Sequence, residues 1–166
     1  MKSRAVSSRG EAIDWPAVCA DLDAEGWAIM PKLLSPRECD VIANLYDRGG
    51  TFRSQVVMAR HGFGRGEYKY FAYPLPSLVE DLRTILYARL APLANRWHEM
   101  MGMDARFPDD HGAFIERCHA ARQTRPTLLL LQYGKDDYNC LHQDLYRLRR
   151  MHLQWGMKKC AENSTK

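Results

Sequence analysis

His142-Gln143-Asp144 is the stretch of this sequence with the most to offer chemically. On an extended strand, residues two apart project from the same face, so this imidazole and this carboxylate would turn together toward one ion. One nitrogen and one oxygen ligand suit a borderline metal such as iron(II). The 2-His-1-carboxylate arrangement adds a distant second histidine and leaves three coordination positions open. The same triplet also fits a histidine and an aspartate on a polar sheet surface, and spacing alone does not choose between the two.

A second ligand-like spacing is Glu116-Arg117-Cys118-His119, an ExxH run that puts both side chains on one helix face, as helical di-iron carboxylate proteins require. Such sites also need a second ExxH and further glutamates, which the sequence does not supply, so a surface pair on a helix is the simpler account. The cysteines Cys19, Cys39, Cys118, Cys140 and Cys160 form no CxxC pair. They point to reduced, mostly buried thiols rather than a zinc knuckle or a thioredoxin-type site. The glycines of His61-Gly62-Phe63-Gly64-Arg65-Gly66 do not spell GxGxxG and open no helix, so a flexible hairpin loop is expected there, not a nucleotide cradle.

The elements that must position these groups begin with a chain of 166 residues, 46% hydrophobic and 27% charged, enough for one domain with a core and unlike a disordered polypeptide. The strongest apolar run, Leu128-Leu129-Leu130-Leu131, is strand-sized and far short of the roughly 18 residues a membrane helix needs. No apolar segment follows the basic start, so residues 1–10 are expected to be a disordered N-terminus. A cytoplasmic protein with no membrane partner is expected. The net charge of +4 sits in residues 147–166, where six basic side chains oppose Glu162 alone; the remaining 146 residues sum to −1. On that average the body has no basic excess, and no nucleic-acid partner is expected.

Asp14 can cap a short helix with Pro16 in its first turn and Gly26 past its end. Residues 27–30 then form a brief candidate strand. Ser35-Pro36-Arg37-Glu38 is a capping box, and the helix behind it would place Cys39, Ile42, Leu45 and Tyr46 on one face. Residues 52–58 and 67–72 alternate as strands, with Tyr68 and Tyr70 on one face. A capped helix opens at Ser77, keeps its apolar period to Trp97 and should bend or split at Pro92. Residues 110–123 read as a further helix with Phe114, Ile115 and Cys118 inward. The apolar run 127–133 is sized for a strand buried on both faces, Gly134-Lys135-Asp136-Asp137 for a turn, and 138–145 for its returning partner. The class is α+β.

Leu131-Gln132-Tyr133-Gly134-Lys135-Asp136-Asp137-Tyr138-Asn139-Cys140-Leu141-His142-Gln143-Asp144 resembles the metal-strand entry of the 2-oxoglutarate- and iron(II)-dependent oxygenases, the prolyl 4-hydroxylases in particular. Gly26 to Cys39, with its Leu34-Ser35-Pro36-Arg37-Glu38-Cys39 loop, and the stretch from His61 to Pro76 are similar to an uncharacterised bacterial subgroup of that superfamily. The resemblance covers residues 26–146. It implies N-terminal helices packed on a double-stranded β-helix, or jelly roll, here incomplete. It implies that His142 and Asp144 bind iron(II). It also implies that the hydroxyl of Tyr133 donates to the cosubstrate 2-oxoglutarate, although Tyr133 also fits a core aromatic at a strand end. Tyr68 and Tyr70 could face the pocket or simply pack the sheet. The implied reaction couples oxidative decarboxylation of 2-oxoglutarate to hydroxylation of a small-molecule or peptide substrate.

Members of that superfamily continue to a second histidine and then an arginine or lysine that grips 2-oxoglutarate. Here His152 is the only later histidine, eight residues after Asp144 and too near to return on a distant strand. The expectation is a family domain over residues 11–146, an atypical basic tail over 147–166, and a truncated chain that binds iron weakly without turning over. The remaining alternatives are a non-enzymatic interaction protein using its basic tail and the helical di-iron protein.

Overall fold

The computed structural model describes residues 3–140. His142, Asp144, Cys160 and the tail 147–166 lie outside the described residues, as does most of the return strand expected over 138–145. The chain divides into a helical unit, residues up to Asn44 with Leu75–Thr124, and a sheet unit, Leu45–Pro74 with the chain from Arg125 onward.

In the helical unit, α1 (Ser3–Glu11) occupies the stretch expected to be disordered. Its sequence is polar, but Val6 is buried and Gly10 lies against Ile85 of α4 so closely that a Cβ would come within 2.6 Å of the Ile85 methyl. Packing, not helix propensity, explains the element. α2 (Trp15–Glu25) starts where Asp14 Oδ1 accepts from the Ala17 amide at 3.1 Å and ends at Gly26 in the left-handed conformation. Residues 27–30 are not a strand; Trp27 and Ile29 stand in solvent with no ladder to join.

α3 (Pro36–Ala43) carries the expected capping box: the Ser35 amide donates to Glu38 Oε2 at 2.8 Å while the Ser35 hydroxyl accepts from the Glu38 amide. Arg9 Nη2 lies 2.6 Å from the same Glu38 oxygen, and Arg9 Nε donates to the Leu33 carbonyl at 2.9 Å, tying α1 to the start of α3. Cys39 is exposed and the other described cysteines only half-buried, so the expected thiol burial is not found among the described residues. α4 (Ser77–Met100) runs unbroken through Pro92 and buries Val79, Leu86, Tyr87, Ala91, Leu93 and Ala94. α5 (His111–Ala120), capped by Asp110, turns Phe114, Ile115 and Cys118 to its half-buried side.

In the sheet unit, β1 (Phe52–Val57) and β3 (Glu67–Phe71) pair antiparallel, and β3 pairs antiparallel with β4 (Leu129–Gln132), giving the order β1-β3-β4. The β3–β4 register sets Tyr68 opposite Leu131 and Tyr70 opposite Leu129. Between β1 and β3 the chain makes one 3₁₀ turn (Met58–His61) and then β2 (Gly64–Arg65). β5 (Tyr138–Asn139) pairs with β2, not with β4 as the local sequence order suggests. Only Leu130 of β4 is buried, so this strand is not sunk on both faces. The class is mixed helix and sheet, and among the described residues the strands close no barrel; the jelly roll is not found in them. No helix among the described residues is long and apolar enough to cross a membrane.

Candidate functional site

Two glycines fit the loop after β1 against Tyr133 and β5. Gly64, at φ +119°, meets β5 backbone to backbone: a Cβ there would lie 2.3 Å from the Tyr138 carbonyl oxygen and 3.0 Å from the Cys140 nitrogen. Only a residue without a side chain permits that approach. The Cys140 amide donates to the Phe63 carbonyl at 2.9 Å, two residues before His142. Gly66, at φ +128°, faces the Tyr133 ring, where a Cβ would stand 2.9 Å from Cδ1 and 3.2 Å from the Gln132 carbonyl oxygen. The loop expected to be a flexible hairpin is therefore a fitted support for both Tyr133 and the strand that leads into the HxD triplet.

The turn between them is the one expected. Gly134 donates its amide to Asp137 Oδ2 at 2.7 Å, and Asp136 takes a positive φ of 66°. Tyr133 is 44% exposed at the head of this turn. Burial of part of its ring edge, and then the Asp137 carboxylate, push its phenol pKa above the ordinary 10, so the hydroxyl stays an O–H donor at neutral pH. Tyr133 is thus accessible and protonated.

Tyr68 and Tyr70 share one sheet face, ring centroids 5.5 Å apart and edge to face. Arg53 lies 4.6 Å over the Tyr70 ring, and its Nη2 donates to the Pro126 carbonyl at 3.3 Å. On the opposite face Lys69 sits 4.0 Å over the Tyr46 ring and donates to the Tyr46 carbonyl at 2.9 Å, while Tyr46 donates to Glu67 at 2.9 Å. Burial first, and Glu67 second, hold the Tyr46 phenol far above its usual range. A groove of about 300 Å³ runs beside β1, and two of its cations, Arg53 and Lys69, are already committed to internal partners.

The structure places Tyr133 at the turn that leads to the triplet; His142 and Asp144 lie outside the described residues. Glu116 and His119 stand exposed on α5. Among the described residues no group of three or more His, Cys, Asp or Glu could hold a metal ion. The support role of Gly64 and Gly66 was not read from the sequence, where two glycines in a loop suggest only flexibility; their close partners are far along the chain.

Charge was also hidden by averaging. The described sheet unit carries seven arginines and lysines against four carboxylates, a net +3, whereas the described helical unit carries ten against fourteen, a net −4. A near-neutral body therefore contains a basic unit.

A family model described as "Oxygenase, catalysing oxidative methylation of damaged DNA" matches residues 66–159, more than half of the chain. The match includes Gly66, Tyr133, His142 and Asp144 and continues past Tyr146. Its described substrate overturns the expectation, drawn from the averaged charge, that nucleic acid is excluded. Two uncharacterised proteins of Mycobacterium tuberculosis, from strains CDC 1551 / Oshkosh and ATCC 25618 / H37Rv, are each 46% identical over 76 residues, covering 46% of this chain and 33% of theirs. The matched part thus spans about a third of these curated relatives' length. No solved structure matches the chain.

Proposed function

Because the chain belongs to the family of oxygenases described as catalysing oxidative methylation of damaged DNA, we propose that it is an iron(II)- and 2-oxoglutarate-dependent oxygenase acting on DNA with damaged, methylated bases. The observation that carries this reading is the family match itself, because it spans the turn, Tyr133 and the HxD triplet in one stretch. His142 and Asp144 are the iron ligands in this reading. The donor set fits: a neutral imidazole nitrogen and a carboxylate oxygen suit ferrous iron. The backbone fits too, since the described segment feeding the triplet is extended at Tyr138–Asn139 and pinned by Gly64 and the Phe63 carbonyl.

When bound, the iron would supply dioxygen activation that no side chain can provide. The chain's own residues bind and orient. Tyr133, kept protonated by its surroundings, donates its hydroxyl hydrogen to a 2-oxoglutarate oxygen. Gly66 leaves the ring room to take that position. The net +3 of the described sheet unit favours an anionic partner, as DNA and 2-oxoglutarate both are.

The test is an anaerobic titration of the purified protein with iron(II) and 2-oxoglutarate, following the metal-to-ligand absorption band. The band should appear with the unsubstituted protein and vanish in His142→Ala and Asp144→Ala. A band that survives both substitutions, or one that never forms, sinks the reading. Mass analysis of a methylated oligonucleotide after aerobic incubation then tests the substrate; an unchanged oligonucleotide beside turned-over 2-oxoglutarate would remove DNA from it.

A further inference from the structure

We propose that the segment Arg60-His61-Gly62-Phe63-Gly64-Arg65 is the contact surface for single-stranded DNA, with Phe63 as the base-stacking platform and Arg60 and Arg65 as phosphate contacts. The inference deepens the DNA-directed reading above and rests on it. The His61 and Phe63 rings stack at a centroid distance of 5.4 Å and 23° between planes, and Phe63 remains 43% exposed. A large apolar ring left in solvent and braced by a second ring is costly unless something covers it, and a base offers a matching flat face.

The charges fit the same partner. Arg60 and Arg65 are exposed, and among the described residues neither has an ion-pair partner. The segment from Met58 to Gly66 holds no acid, and the next carboxylate along the chain, Glu67, is occupied by Tyr46 and Gln55. In the groove beside β1, by contrast, Lys69 and Arg53 are bound to carbonyls and rings. Two exposed arginines without an ion-pair partner among the described residues and an exposed aromatic ring are therefore gathered on the one loop that pairs with β5. Arg65 also sits opposite Tyr138 in the β2–β5 pairing, and Tyr138 is 57% exposed, which extends the platform by a second ring.

A single strand is favoured over a duplex because a stacking platform needs an unpaired base. Duplex bases present their flat faces only to each other, whereas a single strand can lay one on a side chain. Location gives the contact its use: a strand held at Phe63 lies beside β5, whose Cys140 amide donates to the Phe63 carbonyl two residues before His142 in the sequence.

Fluorescence anisotropy with a labelled single-stranded oligonucleotide and its duplex tests the inference, using the whole chain. Phe63→Ala should weaken single-strand binding about tenfold, the scale of one lost base stack, while Phe63→Tyr keeps it. The Arg60→Gln/Arg65→Gln double variant should reduce the slope of log affinity against log salt by about 1.4, the loss of two phosphate contacts to a single strand. Circular dichroism checks that each variant is folded. Binding unchanged by both sets of substitutions, or lost equally in Phe63→Ala and Phe63→Tyr, overturns the proposal. The two readings fail separately: a normal iron–2-oxoglutarate band with DNA binding indifferent to Phe63 overturns this one alone, while Phe63-dependent DNA binding by a chain that forms no band supports it and overturns the oxygenase alone.

Discussion

Gly66 lies against the ring of Tyr133, so close that a methyl group on Gly66 would stand 2.9 Å from Cδ1 and 3.1 Å from Cε1 of the tyrosine. The contact joins the start of β3 to the end of β4, and it links a residue with no side chain to the phenol proposed to meet 2-oxoglutarate.

Gly66→Ala should therefore cost twice, once in backbone strain at φ +128° and once by pushing the Tyr133 ring aside. A loss of about 1–3 kcal/mol is expected from the strain, seen as a lowered urea midpoint. The 2-oxoglutarate concentration needed for half of the absorption band should rise in the same variant. A band with unchanged 2-oxoglutarate dependence would disconnect Gly66 from the site.

Gly64→Ala acts on a different partner, the β5 backbone, with its Cβ only 2.3 Å from the Tyr138 carbonyl oxygen. Backbone cannot step away as a ring can, so β2 and β5 should separate. Hydrogen exchange at the Cys140 amide, which donates to Phe63, should accelerate by at least about tenfold. Iron affinity should fall alongside it. Protection retained at Cys140 would show that the pairing survives without Gly64.

Glu38 gives the helical unit a pH dependence. Burial alone would raise its carboxyl pKa, but the Arg9 guanidinium and the Ser35 amide and hydroxyl outweigh that and hold it at about 2, against an ordinary 4.5. The depressed value means that the folded state prefers the ionised form. Its contribution is complete above pH 4.5 and drains away as pH falls toward 2. Urea unfolding should show Glu38→Gln less stable by about 1–2 kcal/mol at pH 6, with the gap closing below pH 3. A gap that stays constant down to pH 2.5 would contradict the assignment.

Leu86 is the most deeply enclosed side chain of α4, with none of its surface exposed. Leu86→Ala should cost about 2–5 kcal/mol, the range for emptying a packed core site. Thermal unfolding reads the loss directly. A change under about 1 kcal/mol would mean that the surrounding side chains collapse into the space.

Local rules made part of this structure legible. The capping box at Ser35 and Glu38, the Asp14 cap, the Gly26 stop and the turn at Gly134 to Asp137 all depend on neighbours within a few residues, and each is found. Tyr68 and Tyr70 fall on one face because alternation is a property of the strand alone. What could not be read depends on partners remote in sequence. α1 exists because Val6 is buried, residues 27–30 fail as a strand because no ladder receives them, and β5 chooses Gly64–Arg65 over its neighbour β4. The expectation of no nucleic-acid partner failed for a related reason: Arg60, Arg65 and their neighbours are cancelled in any sum that includes the acidic helical unit. The candidate ligands form a pattern of three neighbouring residues, while Gly64 and Gly66 meet β5 and Tyr133 across a long stretch of sequence.

The pairing of β3 with β4 sets an order of events during synthesis. Tyr70 and Leu129 are paired across residues 71–128, which include all of α4 and α5. On the ribosome the β1–β3 hairpin emerges first and must wait, one side unpaired, until the helical stretch has been made and Leu129 follows. A nascent chain stalled in that interval exposes the Tyr68–Tyr70 strand as an open template, which makes this the stage at which a chaperone or an unwanted copy of the same hairpin would find the protein.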